Sequence, residues 1–369
     1  MGTISANVGE YFFESIRRQM KPDKTPLVSV IIIHYKGEGF LSKCIAAVER
    51  STFHHMEIIV VNNGLETPAL SKREGFFYIK NENNLGFAEG CNVGIGMAKG
   101  EYVFILNNDV EISPDCIEIL VEKAGGDSSL GILQPKMLDV HEKNRFHSSA
   151  AGGMIDILGY PFARGRILNT IEEDKGQYDD SIHVFWVSGA AFFAKRSVLI
   201  EAGLFDKDFF LYMEEIDLCW RVYLSGYKII YVPEAVIYHV GCPNIGRENI
   251  MRMYYVHRNS MIMLLKNLSM PYLLILFPVR LILESGILLL YLTSFRLKRS
   301  IAILKAFIYI FCKSKTIWTK RREIQEKRKV SDEKVFESMH KKPVLLQYAL
   351  FGKKYYSRIN PPVSKYYQP

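Results

Sequence analysis

The sequence lacks the cysteine patterns that mark zinc sites or disulfide-bonded secreted domains. Its 369 residues include six cysteines, and these form neither a C-x-x-C pair nor a regularly spaced set. We therefore predict no zinc site and no disulfide framework, and we expect reduced, mostly buried thiols as in a cytosolic protein. The amino terminus also lacks a basic region followed by an apolar core, so no secretory signal is predicted.

A dinucleotide-binding fingerprint is missing as well. Gly94, Gly96 and Gly100 have neither the G-x-G-x-x-G spacing nor the position directly after a strand. This disfavours a nicotinamide-dependent Rossmann enzyme. The formal net charge of +8 instead indicates an anionic partner, which is a nucleic acid, a phospholipid or a phosphorylated substrate.

What is present is a series of short apolar runs that each end in polar residues. The runs at 28–33, 57–61 and 102–106 are continuous and rich in β-branched residues, which is typical of strands covered on both faces. Between the first two, apolar residues recur at helical spacing. Strand, helix and strand at this spacing form a βαβ unit, so we predict an α/β fold with a parallel sheet.

The third run ends abruptly in Asn107, Asn108 and Asp109. A carboxylate at the end of a buried strand is costly unless something pairs with it, and a divalent cation is a suitable partner. Ligands of open α/β sheets collect outside the carboxyl ends of the strands. The alternative interpretation is an ordinary polar turn after the strand.

The order of the motifs resembles the family 2 glycosyltransferases, and most closely their rhamnosyltransferase-like branch of bacterial surface-polysaccharide biosynthesis. After the first apolar strand come V-V-x-N-G at 60–64, N-x-G-F-A-x-G-x-N-x-G at 84–94 and L-N-N-D at 106–109. The resemblance covers residues 27–265. It implies a GT-A fold, which is one mostly parallel, Rossmann-like sheet with helices on both faces. It also implies inverting transfer of a sugar from a nucleoside diphosphate to an acceptor hydroxyl.

The resemblance assigns roles to particular residues. Asp109 stands at the last position of the family's D-x-D motif, which holds Mn²⁺ or Mg²⁺ against the donor diphosphate, whereas the first position is Asn107. His239 is the second implied metal ligand, because imidazole suits Mn²⁺, and the alternative is a structural histidine. The positions implied to bind the donor are His34, Tyr35, Asn62, Asn63, Gly86, Asn92, Asn107, Asn108 and Gly189.

Two of these donor-binding positions keep alternatives open. Asn62 stands where many relatives have an Asp that contacts the base, so the choice of base stays open. Gly189 lies in the apolar run 185–194, which we predict to be one strand. The glycine either lets a sugar approach the backbone closely or permits tight packing of the strand.

Four further polar residues follow outside the motifs. Arg247 and Arg252 either neutralise phosphate or are surface charges. His147 and His183 are expected to be solvated or locally hydrogen-bonded rather than catalytic.

A predicted helix with an acidic first turn carries the candidate base. Inverting transfer needs one base that takes the proton of the acceptor hydroxyl. The resemblance places the family's E-D segment at Glu214 and Glu215, so Glu215 is the implied general base and is one methylene longer than the usual Asp. Asp217 is the fallback, and Glu214 is expected to hydrogen-bond the acceptor or the backbone. The alternative is a solvated acidic helix start with an Asp217–Arg221 pair.

The chain becomes apolar and then basic after residue 265. The run at 270–294 is long enough to span a bilayer, but Pro278, Arg280 and Glu284 interrupt it, and an i,i+4 pair would offset part of the charge. We predict one or two helices half-sunk in the cytoplasmic leaflet, ahead of a single span. The predicted segments are an N-terminal extension (1–26), a GT-A catalytic domain (27–265), membrane-associating helices (266–312) and a basic tail (313–369) that suits an anionic surface.

These expectations combine into one leading hypothesis. It is a metal-dependent inverting glycosyltransferase at the cytoplasmic face of the cell membrane, peripheral or monotopic, that uses dTDP-rhamnose or a UDP-hexose. The acceptor is a glycan or a polyprenyl-linked glycan, and nucleic acid is disfavoured because the basic residues adjoin apolar helices. The alternatives are a catalytically degenerate scaffold protein and a processive polysaccharide synthase, whose usual Q-x-x-R-W motif is not matched by Trp220-Arg221.

Overall fold

The computed structural model describes residues 27–64, 75–147, 149–241 and 250–359. The extension expected at 1–26 and the phosphate-contact candidate Arg247 lie outside these ranges. The strands are β1 (Val28–His34), β2 (Met56–Asn62), β3 (Phe76–Lys80), β4 (Tyr102–Asn107), β5 (Val110–Ile112), β6 (Leu130–Asp139), β7 (Gly153–Ile155), β8 (Pro161–Ala163), β9 (Arg166–Ile167), β10 (Thr170–Ile171), β11 (Ile182–His183), β12 (Ala191–Lys195) and β13 (Lys228–His239).

The helices follow the strands on both sides and dominate the carboxyl-terminal third. They are α1 (Glu38–Glu49), α2 (Gly86–Met97), α3 (Cys116–Gly126), α4 (Arg196–Glu201), α5 (Glu214–Leu224), α6 (Ile250–Asn267), α7 (Met270–Thr293), α8 (Leu297–Cys312), α9 (Ser314–Lys327), α10 (Asp332–Phe336), α11 (Val344–Phe351) and α12 (Tyr356–Ile359). A 3₁₀ turn (Lys207–Phe209) precedes α5.

A nine-stranded mixed sheet forms the centre of the fold. Its order is β11, β13, β6, β12, β4, β1, β2, β3, and β5 pairs with β13 at the side of this path. Strand β1 pairs in parallel with β2 and β4, β2 with β3, and β6 with β13, whereas β12 is antiparallel between β4 and β6. The predicted βαβ unit and mostly parallel sheet are confirmed. A smaller sheet contains β7 to β10.

Both faces of the large sheet are buried, as the continuous apolar strands predict. Successive side chains of a strand point to opposite faces. In β1, Ile31 and Ile33 pack in the layer that contains α2, α4 and α5, and Val30 and Ile32 pack in the layer that contains α1 and α3. The sheet is therefore held between two helical layers, and its carboxyl edge is left to carry polar residues.

Two predicted strands are corrected by the structure. The run 185–194 was expected to be one strand, but only its end belongs to β12, because the chain turns where Ala191 N–H donates to Ser188 O at 3.2 Å. The segments on either side of Pro233 were expected to be separate, but they form one strand, β13. A register shift between Val232 and Val236 accommodates the proline, which has no N–H to donate.

The apolar run near 270 forms one helix, α7, and its charges face the protein. Within the described ranges, α7 is the one helix long and apolar enough to cross a membrane by length and composition. Arg280 and Glu284 are buried, and Arg280 Nη2 lies 2.6 Å from Glu284 Oε1, which confirms the i,i+4 pair. Glu284 also contacts His257 Nδ1 at 2.6 Å, and Arg280 donates to Leu158 O at 2.7 Å.

Only part of the basic segment that follows α8 faces solvent. Lys320 Nζ lies 2.6 Å from Asp208 Oδ2, and Arg321 Nη1 donates to Leu265 O at 2.6 Å. These contacts hold α9 against the 3₁₀ turn and α6, so part of the charge that we expected to face an anionic surface instead stabilises the fold. A third apolar cluster, with residues of α5, α6, α7, α9 and α10, joins the carboxyl-terminal helices to the sheet domain.

Candidate functional site

The polar residues predicted to bind a donor meet at the carboxyl edge of the sheet. Parallel register places His34 opposite Asn62, and Ile33 opposite Asn107. The ends of β1, β2 and β4 are therefore side by side, which is where ligands bind in open α/β sheets. Asn108, just beyond β4, crosses this edge because its Nδ2 donates to Lys36 O at 2.8 Å and lies 3.1 Å from His34 Nδ1.

Asp109 and His239 lie together although 130 residues separate them in the chain. Antiparallel pairing of β5 with β13 places His239 opposite Val110, directly after Asp109. His239 Nε2 consequently lies 3.2 Å from Asp109 Oδ1. The structure thus brings together the two residues that the sequence nominated as metal ligands.

A second histidine, His147, contacts His239, and the sequence analysis did not include it in the site. His147 Nδ1 lies 3.0 Å from His239 Nδ1, with the rings edge to face. Burial, followed by the charge of His239, lowers the pKa of His147 to about 4, so its imidazole is neutral near pH 7. His147 was expected to be locally hydrogen-bonded, and it is, but its partner belongs to the candidate metal site. Its position on a loop after β6 gave no periodic signal.

The donor set at Asp109 fits a divalent cation that is shared with a phosphorylated ligand. One carboxylate and one imidazole are suitable for Mn²⁺. Among the residues that the structure describes, no group of three or more His, Cys, Asp or Glu side chains forms a cation site. A cation held by Asp109 and His239 would therefore complete its coordination with oxygens of water or phosphate.

Asn62 and Asn63 stabilise the carboxyl edge of the sheet through hydrogen bonds. Both side chains are buried. Asn62 Nδ2 donates to the Tyr78 hydroxyl at 2.7 Å, and its Oδ1 accepts from Gly64 N–H at 2.7 Å. Asn63 Nδ2 donates to Gly86 O at 2.8 Å. These contacts support a role for Asn62 and Asn63 in shaping the side of the edge that we expect to bind the base. Direct pairing of Asn62 with a base stays a proposal.

The glycine-rich segment packs closely against other elements. Gly86 has a φ of +79°, and a Cβ there would lie 2.5 Å from Phe210 O, so only glycine fits. A Cβ on Gly189 would lie 2.8 Å from the Phe87 ring, which supports the packing interpretation of that glycine. Asn92 donates to Phe205 O and accepts from Phe205 N–H, so it secures a loop.

Two adjacent carboxylates, Glu214 and Glu215, begin helix α5. Their Oε2 atoms are buried and have no hydrogen-bond partner in the described part of the chain. Burial, followed by the charge of Glu215, raises the pKa of Glu214 well above its usual range. Burial also raises the pKa of Glu215 to about 7, against hydrogen bonds from backbone N–H groups at the helix start. Glu214 is therefore neutral near pH 7, whereas Glu215 exchanges its proton there, as a general base requires.

Asp217, the fallback base, lies in a buried ionic cluster. It is fully buried, and its Oδ2 accepts from Arg221 Nε at 3.0 Å and from Lys266 Nζ at 3.1 Å. Its Oδ1 accepts from Asn267 Nδ2 at 3.0 Å. The Asp217–Arg221 pair of the alternative interpretation is thus confirmed, but its solvated helix start is wrong, because Glu214 and Asp217 are buried. These contacts indicate that Asp217 stabilises the packing of α5 on α6 and does not take up a substrate proton.

The remaining candidates lie on the surface around the edge. Tyr35 is 48% exposed after β1, with the Lys36 ammonium 5.3 Å from its ring centroid. Arg252 is exposed on α6, and its guanidinium lies 5.6 Å from the Tyr212 ring centroid. His183 belongs to β11 at the end of the sheet, away from the edge that carries Asp109. Tyr35 and Arg252 therefore lie at the surface, and His183 is not part of the site.

Comparisons with known proteins show which enzymes this chain is similar to. Residues 29–201 match the family model described as Glycosyl transferase family 2. The chain is 26% identical over 260 residues to the N-acetylglucosaminyl-diphospho-decaprenol L-rhamnosyltransferase of Mycobacterium tuberculosis, a match that covers 65% of this chain and 84% of the relative. It is 24% identical over 257 residues to the poly-beta-1,6-N-acetyl-D-glucosamine synthase of Staphylococcus aureus, covering 66% of this chain and 58% of the relative.

A solved structure has a similar fold. The crystal structure of GalNAc-T7 with UDP, GalNAc and Mn²⁺ superposes with a TM-score of 0.53 at 15% sequence identity. The match covers 79% of this chain and 58% of that one. At this identity the likeness concerns the fold alone.

Proposed function

Because residues 29–201 match the glycosyl transferase family 2 model and the fold is GT-A-like α/β, we propose that this chain transfers a sugar, with inversion, from a nucleoside diphosphate to a hydroxyl of a lipid-linked glycan. The observation that carries the proposal is the contact between Asp109 and His239, 3.2 Å apart at the carboxyl edge of the sheet. This edge also receives the ends of β1 and β2, where the family motifs of the sequence lie.

Asp109 and His239 are proposed to hold Mn²⁺ or Mg²⁺ together with the donor. A bound divalent cation neutralises charge on the diphosphate leaving group. Asn108 and His34 contact each other beside this pair, and we assign them to the same donor pocket. Asn62, Asn63 and Gly86 support the pocket from the buried side through the hydrogen bonds described above.

Glu215 is proposed as the general base. The acceptor oxygen forms a bond to the anomeric carbon, the bond from that carbon to the diphosphate oxygen breaks, and Glu215 takes the proton of the acceptor hydroxyl. Attack from the face opposite the leaving group inverts the anomeric carbon. The Oε2 of Glu215 is buried without a hydrogen-bond partner among the described residues, and the acceptor hydroxyl would supply that partner when it binds.

The proposed substrates follow the similarity to the mycobacterial relative. As its name states, that relative transfers L-rhamnose to N-acetylglucosaminyl-diphospho-decaprenol. We propose dTDP-rhamnose or a UDP-hexose as donor and a polyprenyl-linked glycan as acceptor. The alternative of a processive synthase needs a Q-x-x-R-W acceptor motif. Trp220 is fully buried here and Arg221 is paired with Asp217, so these residues do not supply it.

The carboxyl-terminal helices support a location on the cytoplasmic face of the membrane. The outer faces of α7 and α8 are apolar, and the large apolar side chains there that are at least 60% exposed are Leu274, Ile275, Ile282, Leu289, Leu290, Ile308 and Phe311, with Phe295 between the two helices. Contiguous exposed apolar surface of this kind marks an interaction site for a membrane or a protein. Because Arg280 and Glu284 face inward, α7 can lie in one leaflet as a monotopic element without burying a charge in lipid.

Donor binding measured by calorimetry tests the proposed site. The titrants are dTDP-rhamnose and a set of UDP-hexoses, each with and without Mn²⁺, on the wild type, Asp109→Asn and Asp115→Asn. We expect one donor to bind only with Mn²⁺, the Asp109 variant to lose this binding, and the exposed Asp115 control to keep it. A chain that binds none of these donors under either condition would refute the transferase reading and favour a scaffold.

A further inference from the structure

The segment that leads into Glu214 has an unusual backbone. Phe210, Tyr212 and Met213 have φ angles of 64°, 67° and 72°. A residue with a Cβ rarely adopts a positive φ, and three such residues among four require that the surroundings hold them. Strained backbone of this kind occurs most often where a functional side chain must be placed. The two residues that follow directly are the candidate carboxylates.

Two neighbouring residues of helix α6, Arg258 and Asn259, hold this segment. Both side chains are buried. Arg258 Nη2 donates to Asp208 O at 2.7 Å and to Phe209 O at 2.8 Å. Asn259 Nδ2 lies 3.1 Å from the carbonyl oxygens of Phe209 and Leu211 and 2.7 Å from that of Tyr212. Four backbone carbonyls, those of Asp208, Phe209, Leu211 and Tyr212, are thus gathered onto one amide and one guanidinium.

The orientation of these two side chains is itself determined. Asn259 Oδ1 accepts from Arg258 Nε at 2.7 Å, which directs the amide nitrogen to the segment. The Arg258 guanidinium lies among three aromatic rings, with its carbon 5.2, 4.8 and 4.5 Å from the ring centroids of Tyr254, Tyr255 and Tyr309. Cation–π contacts of this kind restrict a guanidinium that has few polar partners.

The opposite side of the segment is attached to the donor pocket. Phe210 O accepts from Phe87 N–H at 2.7 Å, at the start of α2, and Asn63 donates to Gly86 in the same turn. The segment therefore lies between the pocket edge and α6. A change in its backbone would move the start of α5, where Met213 O accepts from Asp217 N–H in the first turn.

From these contacts we infer that Arg258 and Asn259 are positioning residues, which hold residues 209–213 in their strained backbone and thereby place the Glu215 carboxylate for proton transfer. The inference rests on the proposed transferase function. Sequence reasoning did not single them out, because they lie in the middle of a helix and their partners are backbone atoms 47 to 50 residues away in the chain.

Kinetics of Asn259→Ala test this role. Asn259→Ala removes the amide but leaves Arg258. We expect kcat to fall ~10–100-fold, because small misplacements of a reacting group cost that much. The donor Kd in the presence of Mn²⁺ should change by less than ~2-fold, because Asp109 and His239 are untouched. The pH at half-maximal kcat should move from about 7 towards the ordinary value of a glutamate, about 4.3, as the carboxylate gains water.

Four reference variants make the result interpretable. Leu120→Ala, buried on α3, destabilises the fold at a distance, and it should keep kcat and its pH profile at a temperature where it is folded. Arg258→Lys keeps the charge but loses the planar fork, so it should retain less activity than the wild type and more than Arg258→Ala. Glu215→Gln establishes whether the base assignment holds.

The outcomes separate the inference from the function on which it rests. An Asn259→Ala protein with wild-type kcat overturns the positioning role. So does a parallel loss of kcat and donor affinity at an unchanged pH profile, which a purely structural defect produces. If the wild type turns over no donor, or if Glu215→Gln is as active as the wild type, the proposed function fails first and the positioning role fails with it.

Discussion

His147 and His239 face each other through their Nδ1 atoms, 3.0 Å apart. One of the two nitrogens must carry the hydrogen and the other must accept it. If His239 donates, its Nε2 is left with a free lone pair 3.2 Å from Asp109 Oδ1, and this is the form that binds a cation. The relationship makes His147 the partner that selects the tautomer of the proposed metal ligand.

Removal of His147 is expected to weaken cation binding. In His147→Ala, His239 loses its acceptor, so we expect Mn²⁺ affinity to fall ~10–100-fold, the usual effect of losing an outer partner of a ligating histidine. Electron paramagnetic resonance of free Mn²⁺ in a titration with UDP present measures this affinity. His183→Ala is the matched control and should bind as the wild type does. Equal affinity of the His147 variant would show that the tautomer is set by another group.

The pH dependence of the reaction should follow the Glu215 carboxyl. Burial raises its pKa to about 7, so below that pH the group is protonated and cannot take the proton of the acceptor hydroxyl. We expect kcat to rise with pH through about 7 and then to level. Glu215→Gln should lose the step and ~10²–10⁴-fold in kcat. A pH–rate profile from pH 5 to 9 measures both effects.

Glu214 should tolerate an amide. Burial and the neighbouring charge of Glu215 raise its pKa well above the usual range, so its carboxyl is already neutral near pH 7. Glu214→Gln is close to an isostere of that neutral form, and we expect kcat within ~3-fold of the wild type, because no charged hydrogen bond is removed. A loss as large as that of Glu215→Gln would instead identify Glu214 as the base, and the same kinetic assay decides between them.

Lys266 should be a stability residue. Its Nζ lies 2.6 Å from Asp206 Oδ2 and 3.1 Å from Asp217 Oδ2, and the side chains of Lys266 and Asp217 are buried. Lys266→Met leaves buried carboxylates short of a partner, and we expect a loss of ~3–5 kcal/mol in the free energy of unfolding. Lys329→Met, which breaks a solvent-exposed pair with Glu201, should cost far less, because water screens exposed charges. Urea unfolding followed by circular dichroism compares them, and similar losses would contradict the role of burial.

Exposed apolar residues of α7 should carry membrane binding. Leu274 and Ile282 are 69% and 70% exposed. The double variant Leu274→Lys, Ile282→Lys should bind phosphatidylglycerol vesicles at least ~10-fold more weakly, because each buried aliphatic side chain contributes ~1.5–3 kcal/mol. Ile200→Lys changes a 49% exposed apolar residue on α4 and serves as the control. Sedimentation with vesicles measures the difference, and equal binding of all three proteins would place the membrane contact elsewhere.

Local patterns predicted the parts of the fold that depend on neighbours in sequence. Continuous apolar runs predicted β1, β2 and β4, and their polar ends predicted the edge that carries Asn107 and Asp109. The helix that begins at Glu214 and ends before Gly226 was also predicted, because its apolar spacing and terminal glycine are local signals. The strand at 185–194 was wrong because the pairing of Trp186 with Gly153 in another sheet interrupts it.

Local sequence patterns could not predict the contacts between segments that are distant in the chain. The link from His147 to His239 spans 92 residues, and that from Asn259 to Tyr212 spans 47. Neither histidine spacing nor helical periodicity reports such a contact, because it depends on strand register and helix packing. The burial of Asp217 has the same origin, because its partner Lys266 comes from a helix whose packing no local pattern reports.

The inward-facing pair Arg280–Glu284 has a practical consequence for how this protein can be shortened. Glu284 contacts His257 on α6, the helix that also carries Arg258 and Asn259. A fragment that ends at Asn267 would keep every residue of the proposed chemistry but would uncover the apolar side of α6 and leave His257 without its carboxylate. Deletion of the helices after Asn267 would therefore promote aggregation. Purification of the longer chain in detergent is the better route to a stable, soluble enzyme.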